Sequence, residues 1–151
     1  MKPVVLDDVD RQILNRLVRN GRASYSSLGA EVGLTPHGAA NRVRRLVEAD
    51  VITGFSAQVN LGTVGRTVDA IVDVRLLAGT TPEEFESRVA QLHAIRELAF
   101  VTGRYDYPLR LACRDTDDLN GTVRTLREKN VAAHTETRIV LGSTTYDRAI
   151  G

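Results

Sequence analysis

The chain has 151 residues, of which 42% are apolar and 26% are charged, so a globular fold is expected and a disordered chain is excluded. The formal net charge of +1 indicates no class of partner by itself. A single cysteine, Cys113, excludes an intramolecular disulfide and a multi-cysteine metal site. Because Cys113 lies in an apolar run, we predict a buried free thiol. The N-terminus continues into an acidic segment and no apolar run approaches the ~20 residues that cross a bilayer, so we expect a cytoplasmic protein with no membrane contact.

The first predicted element is a helix over Leu6–Asn20. Asp7 or Asp8 can cap it, and acids at this end favour the positive pole of the helix dipole. Its apolar stripe comprises Val9, Ile13, Leu14, Leu17 and Val18. The dipeptide Asn20-Gly21 is a typical helix stop.

Two short helices joined by a tight turn are predicted next. The first covers Tyr25–Val32, and Gly33 follows it where a helix often ends in a left-handed residue. Thr35 can cap the second helix, with Pro36 at its first position, where a missing N–H costs nothing. Residues 34–47 carry three arginines and no acid, so the second helix is basic. A basic second helix after a glycine turn is the pattern of a helix-turn-helix reader of DNA.

The spacing of the second helix separates an inner from an outer face, and the inner face is predicted to carry Ala39, Val43, Leu46 and Val47. Inward apolar residues at 39, 43 and 46 leave the following side chains outward as candidates for base edges: His37, Ala40, Asn41 and Arg44. The remaining predicted DNA-binding residues, most of them suited to phosphate, are Arg22, Ser26, Ser27, Thr35, Arg42 and Arg45. The alternative is a plain three-helix bundle with a solvated basic face.

The rest of the chain alternates strand and helix. The predicted strands cover residues 51–60, 67–77, 98–103, 109–114 and 135–144, and the predicted helices cover 81–94 and 115–129. We therefore predict a DNA-binding domain over 1–52, a connecting strand and glycine-containing hinge over 53–66, and a second domain over 67–151.

The order βαββαβ in the second domain is that of a ferredoxin-like fold, with antiparallel strands and helices on one face of the sheet. The fold class is α+β, with a three-helix, winged helix-turn-helix domain preceding the ferredoxin-like one. Ile71 and Leu77 are apolar on the face away from the helices. We expect that bare face to meet a second copy of the chain.

A second constellation lies between two strands of that domain. Gly103 permits close approach of a ligand, Arg104 and Asp106 could meet a carboxylate and an amine, and Tyr105 and Tyr107 supply walls and hydroxyls. The alternative is an ordinary hairpin turn. His37, His93 and His134 have no metal-ligand spacing, and no nucleotide-binding or nucleophile motif is present, so we predict no enzyme activity, no metal and no cofactor.

Taken together, the chain resembles the Lrp/AsnC family of feast/famine transcriptional regulators over nearly its whole length. The segments that carry the resemblance are LDDVDRQIL at 6–14, VGLT at 32–35, NRVRRL at 41–46, VITGF at 51–55, GRYDY at 103–107 and TETRIVL at 135–141. The resemblance implies a regulator of double-stranded promoter DNA, in homodimers that assemble into tetramers or octamers. It also implies a small effector, usually an amino acid, bound between dimers. Carried onto this chain, the effector site comprises Gly103, Arg104, Tyr105, Asp106, Tyr107, Thr135 and Thr137.

Three residues depart from the family pattern. Asp50 stands where Gly often ends the recognition helix, and we expect it to make the same left-handed turn at some cost. Gly29 and Gly38 lie inside helices, where each costs roughly 0.5–1 kcal/mol of helix stability. Two other functions remain open: an architectural DNA binder without an effector, and an enzyme of the siroheme decarboxylase type, which is similar in fold.

Overall fold

The computed structural model describes residues 4–128 and 131–146. It divides into two compact units. The C-terminal unit is Val59–Ser143, and the N-terminal unit consists of the described residues on either side of it. None of the helices in the described ranges has the length and apolar character needed to span a membrane. The outermost residues of both predicted domains, and the predicted helix end at Lys129, lie outside the described residues.

The N-terminal unit is built from the helices α1 (Asp8–Arg19), α2 (Tyr25–Val32) and α3 (Pro36–Glu48). Each begins at a side-chain cap: Asp7 forms a capping box with Asp10, Ser24 caps α2, and Thr35 caps α3. Their inner faces enclose a small core of Ile13, Leu14, Leu28, Ala39, Val43 and Leu46. The helix-turn-helix prediction is therefore confirmed, as are Ala39, Val43 and Leu46 on the inner face of α3. The prediction for Val47 is wrong: it is 42% exposed, because it lies one residue beyond Leu46 and therefore points away from the core.

The turn between α2 and α3 explains Gly29. Gly33 ends α2 in the left-handed conformation, with φ 72° and ψ 30°. The turn then passes so close to α2 that a Cβ on Gly29 would lie 2.5 Å from the carbonyl oxygen of Leu34. The helix cost expected of Gly29 is thus accompanied by a packing requirement, because the close crossing of the backbone leaves no room for a Cβ there.

The chain leaves α3 as expected and then departs from the prediction. Asp50 has φ 54°, which is the left-handed turn expected of it. However, the strand predicted over residues 51–60 is wrong: that segment is irregular and forms no strand within the described chain. A strand requires a partner with which to exchange backbone hydrogen bonds, and β-forming residues alone do not supply one. The described residues of this unit therefore have no wing.

The C-terminal unit confirms the order βαββαβ. Its elements are β1 (Val68–Leu76), α4 (Pro82–Val89), β2 (Ile95–Leu98), β3 (Tyr107–Cys113), α5 (Thr116–Glu128) and β4 (Ala132–Ile139). Within the described residues the strands form one sheet in the order β2-β3-β1-β4, and all neighbouring pairs are antiparallel. The ferredoxin-like α+β fold predicted from the sequence is confirmed.

The boundaries of three elements differ from the prediction by three residues or more. Helix α4 ends at Val89 instead of continuing to residue 94. Strand β2 covers Ile95–Leu98 instead of residues 98–103, and β4 covers Ala132–Ile139 instead of residues 135–144. For β2 the reason is Pro108 on the neighbouring strand. Its carbonyl accepts a long bond of 3.4 Å from the Ala99 N–H, but proline has no N–H to donate in return. The ladder therefore ends at the pair Leu98–Leu109.

The two faces of this sheet differ in chemistry. Val72 and Val74 lie on the face that packs on the helices, and their core includes Phe85, Tyr107, Leu109, Leu111 and Leu126. Cys113 is part of that core, which confirms the buried thiol, and burial raises its pKa. The opposite face, here called the open face, carries Asp69, Ile71 and Asp73 of β1 with their cross-strand neighbours Pro108, Arg110, Ala112, Glu136 and Arg138.

Candidate nucleic-acid interface and effector loop

The outer face of α3 presents the side chains predicted to reach bases. His37, Asn41 and Arg44 are exposed and Ala40 is half-buried, while Ala39, Val43 and Leu46 are buried beneath them. The Nη1 of Arg44 donates to Oδ1 of Asn41 at 3.1 Å, as expected of side chains three residues apart on a helix. Because an arginine has five N–H donors, this bond aligns the pair and leaves Arg44 with donors for a further partner.

The other two arginines of α3 have partners within the unit. Arg42 Nη1 contacts both Asp7 and Asp10, the latter at 3.1 Å, and Arg45 Nη2 lies 2.6 Å from Asp10 Oδ2. The bond that Arg42 donates to Asp7 lowers the pKa of Asp7, and the bonds that it donates to Asp7 and Asp10 raise the pKa of Arg42. The sequence alone predicted Arg42 and Arg45 as phosphate contacts, whereas the structure joins them to acids at the start of α1.

The other residues predicted to bind DNA are either exposed or take part in helix caps. Arg22 and Ser26 are exposed near the start of α2. Thr35 Oγ1 accepts a bond of 3.0 Å from the N–H of Gly38, and the N–H of Ser27 donates to Ser24 Oγ at 3.1 Å. These caps fix the first turns of α2 and α3, where exposed N–H groups and the helix dipole favour an anion such as phosphate.

Both parts of the chain match models of known protein domains. Residues 6–47 match the model of the AsnC-type helix-turn-helix domain, and residues 69–150 match that of the Lrp/AsnC ligand binding domain. The chain belongs to the Lrp/AsnC family. The resemblance drawn from the sequence is therefore confirmed.

Relatives of this Lrp/AsnC member have been named as regulators. The HTH-type transcriptional regulator AldR of Mycobacterium tuberculosis is 32% identical, over 93% of this chain and 80% of its own length. LrpA of the same organism is 30% identical, over 95% of both chains. The leucine-responsive regulatory protein of Haemophilus influenzae is 37% identical, over 73% of this chain and 68% of its own length.

Solved structures agree with the fold of this Lrp/AsnC member. A feast or famine regulatory protein from M. tuberculosis complexed with L-methionine has a TM-score of 0.87 and 30% identity, over 95% of this chain and 97% of that one. The crystal structure of the AldR protein of M. tuberculosis has a TM-score of 0.84 and 28% identity, over 99% of this chain and 100% of that one.

The second candidate site of this Lrp/AsnC member is the loop at 103–107. Gly103 has φ 124°, which side chains rarely allow. Tyr105 lies over the open face: its hydroxyl donates to Glu136, its ring stacks on His134 at 6.0 Å, and the Arg104 guanidinium lies 5.4 Å from its centroid. The bond from Tyr105 lowers the pKa of Glu136 and raises that of Tyr105 itself. The loop therefore brings a cation, an aromatic ring and a carboxylate together.

Tyr107, which was predicted to line the effector site, belongs to the core of the unit. It is fully buried, its hydroxyl donates to Glu86 Oε1 at 2.7 Å, and its ring packs between those of Phe85 and Phe100. Burial raises its pKa well above the ordinary value. Within one chain, Tyr107 therefore cannot form a wall of a site on the open face.

Thr135 and Thr137 also lie away from Tyr105. Thr135 pairs with Val74 and Thr137 with Val72, which puts both on the helix side of the sheet. Thr135 is buried and accepts bonds from the Arg127 guanidinium at 2.7 and 2.9 Å. Tyr107, Thr135 and Thr137 therefore lie on the helix side of the sheet, whereas Tyr105 lies over the open face.

Asp106 anchors the loop. Its Oδ2 accepts a bond of 2.7 Å from the N–H of Leu76, and its own N–H donates to the carbonyl of Val74 at 2.9 Å. Both bonds tie the loop to the end of β1, so part of this carboxylate's bonding capacity is already used.

The open face also carries two charged pairs that were not predicted from the sequence. Arg110 binds Asp69 through two bonds of 2.6 and 2.5 Å, and Arg138 lies 2.5 Å from Asp73. Alternation along β1 and β4 put these residues on one face of each strand, but only the register between strands pairs them. No cluster of three or more metal-ligating side chains occurs among the residues that the structure describes.

Proposed function

We propose that this protein is a sequence-specific DNA-binding transcriptional regulator, with α3 as its recognition helix. The observation that carries the proposal is the outer face of α3, where Arg44 and Asn41 are exposed, adjacent and bonded to each other. A helix of this size fits the major groove, where arginine can bond guanine and asparagine can bond adenine, each worth about 1–3 kcal/mol of discrimination. His37 and Ala40 complete the proposed base-reading face.

Phosphate contacts are proposed around the ends of α2 and α3. Arg22 and Ser26 are exposed, and Ser27 and Thr35 lie at first turns whose N–H groups favour anions. These contacts would position α3 without carrying sequence information.

Assembly supplies the remaining specificity. A single module of this kind reads few bases, so paired half-sites in a homodimer, and larger assemblies of dimers, would set the operator. We propose that residues 1–52 bind DNA, that residues 53–66 connect, and that residues 67–151 assemble copies and bind the effector. The protein would act in the cytoplasm as a regulator and not as an enzyme, in keeping with the named functions of its relatives.

The proposed effector is an amino acid held at the loop 103–107. Arg104 offers a cation for its carboxylate, Glu136 offers an anion for its ammonium group, and Tyr105 offers an aromatic surface. The complex of a 30% identical relative with L-methionine supports this class of ligand. Binding would change DNA affinity or the number of assembled copies.

DNA recognition is tested by selecting duplexes from a random pool with the wild-type protein. Arg44→Ala should lose the preference for selected over scrambled duplex by about 1–3 kcal/mol, because it removes a base contact. Arg124→Ala is the matched control, since Arg124 is an exposed arginine on α5. Equal preference by the wild type and a variant with Ala at 42, 44 and 45 would refute the proposal.

Effector binding is tested by a thermal-shift screen of amino acids at millimolar concentration, read together with oligomer size. A ligand of the native state raises the melting temperature. Glu136→Gln keeps an acceptor for Tyr105 but removes the charge, so it should abolish the shift; Glu97→Gln, an exposed acid on β2, should preserve it. A full shift in Glu136→Gln would rule out the proposed ammonium contact.

A further inference from the structure

The arginines of α3 fall into two classes by their partners. Arg44 faces outward and bonds only sideways to Asn41, as far as the described contacts show. Arg42 and Arg45 turn back toward α1, where two carboxylates meet two guanidinium groups and their formal charges cancel. The recognition helix therefore presents less positive charge than its sequence indicates.

Both acids are held in place by bonds within α1. Asp7 is the cap of α1, and its Oδ1 accepts the N–H of Asp10 at 2.7 Å while its other oxygen contacts Arg42. The side chain of Asp10 is 1% exposed and accepts from Arg42 at one oxygen and from Arg45 at the other. Helix capping thus fixes the carboxylates, and the carboxylates fix the two arginines.

This arrangement matters because phosphate contacts carry affinity without sequence information. Each arginine that neutralises a phosphate strengthens binding to every duplex equally, and it adds about 0.9 to the slope of log K against log salt. An arginine that is paired with a carboxylate must give up that partner before it can bind phosphate. When such an arginine stays paired and does not contact phosphate, non-specific binding is weaker and the base contacts of Arg44 are unchanged.

We propose that Asp7 and Asp10 are specificity-determining positioning residues of the recognition helix. They hold Arg42 and Arg45 against α1 and withhold them from the DNA backbone, so that α3 discriminates by base contacts instead of binding all DNA through charge. The inference rests on the proposed function of α3 as the recognition helix.

The test uses Asp7→Asn in the full chain. Asparagine caps helices as well as aspartate does, and Asp7 is about half exposed, so the fold should be retained. One of the two charges that hold Arg42 is lost, and the remaining carboxylate of Asp10 is then shared by both arginines, which leaves one positive charge in excess. Asp8→Asn is the matched control: it makes the same charge change in the same helical turn, at an exposed residue with no described contact to Arg42. Binding to a scrambled 30-base-pair duplex, and to the duplex selected from a random pool, is measured between about 50 and 200 mM salt.

For Asp7→Asn we expect the salt slope on scrambled duplex to become steeper by about 0.9, which is one additional phosphate contact. That corresponds to roughly a threefold larger loss of affinity across the same salt range. The ratio of selected to scrambled binding should fall, whereas Asp8→Asn should keep the wild-type slope.

A second background separates this role from a structural one. In Arg42→Gln protein, Asp7→Asn should leave the slope unchanged, because the guanidinium that it would release is absent. Identical slopes for Asp7→Asn and Asp8→Asn, or an effect that persists in Arg42→Gln, would overturn the inference while leaving DNA recognition intact. If the wild type binds no duplex in a salt-dependent manner, the proposed function fails and the inference fails with it.

Discussion

Helix α3 and the loop at 103–107 differ in how far the positions of their side chains could be predicted from the sequence. On α3, three of the four predicted inner residues are buried, with Val47 as the exception, and the predicted base readers lie on one outer face. At the loop, Tyr105 lies over the open face whereas Tyr107, two residues later, is buried in the core. A helix assigns faces by its own period, but the face of a residue at a strand end depends on the neighbouring strands.

The two regions also differ in the contacts that hold them in place. Helix α3 is held from inside its own unit, by the caps, by the turn at Gly29 and by the carboxylates of α1. The loop is held by Asp106 bonds to the end of β1, which leaves Arg104 and Tyr105 exposed or half-exposed above the open face. Variants in each region test these two sets of contacts.

Removal of Asp10 should have the largest effect. Asp10→Ala takes a buried acceptor from two arginines, and breaking a fully buried pair costs about 3–5 kcal/mol. Here the side chains of Arg42 and Arg45 are 29% and 57% exposed and can regain water, so we expect about 2–3 kcal/mol. Hydrogen exchange of the α1–α3 amides measures the loss, and amides of the C-terminal unit serve as the internal reference.

Gly29→Ala should have the second-largest effect on stability. Its new Cβ would meet the carbonyl oxygen of Leu34 at 2.5 Å, and overpacking of this kind costs about 1–3 kcal/mol. Gly121→Ala is the control, because no atom lies within 4 Å of its added Cβ and alanine is the better helix former by roughly 0.5–1 kcal/mol. Thermal unfolding should therefore move in opposite directions for the two variants, and a stabilised Gly29→Ala would contradict the close crossing.

The different positions of Tyr105 and Tyr107 are tested by removing the hydroxyl of each in turn. Tyr107→Phe leaves Glu86 without its buried donor, so it should destabilise the C-terminal unit by about 1–2 kcal/mol and leave amino-acid binding unchanged. Tyr105→Phe removes a bond at the surface, so it should alter stability by less than about 0.5 kcal/mol and weaken the ligand-induced thermal shift. Equal losses of stability would show that both tyrosines have the same role.

The smallest expected effect is a pH dependence of the N-terminal unit. The folded-state pKa of Asp7 is lowered by Arg42, so its contribution is present above the unfolded value of about 4 and is lost as the pH falls through the lowered pKa. Melting temperatures of wild type and Asp7→Asn should therefore differ most near neutral pH and converge in acid. A difference that grows below pH ~4 would reverse the sign of this linkage.

Features that depend on a few adjacent residues could be predicted from the sequence. The glycine turn at Gly33, the cap at Thr35 and the left-handed Asp50 are set by local backbone preferences. The order βαββαβ and the burial of Cys113 also follow from apolar spacing along the chain. These signals need no knowledge of which distant residues meet.

Features that depend on a distant partner are set by the packing of the folded chain and could not be predicted from the sequence. The end of β2 depends on the missing N–H of Pro108, and the positions of Thr135 and Tyr105 depend on the register of β4 against β1. The pairing of Arg42 with Asp7 joins residues 35 positions apart. Charge and periodicity identify such residues as polar and exposed, but the partner that each side chain meets is chosen by packing between elements that the local sequence does not encode.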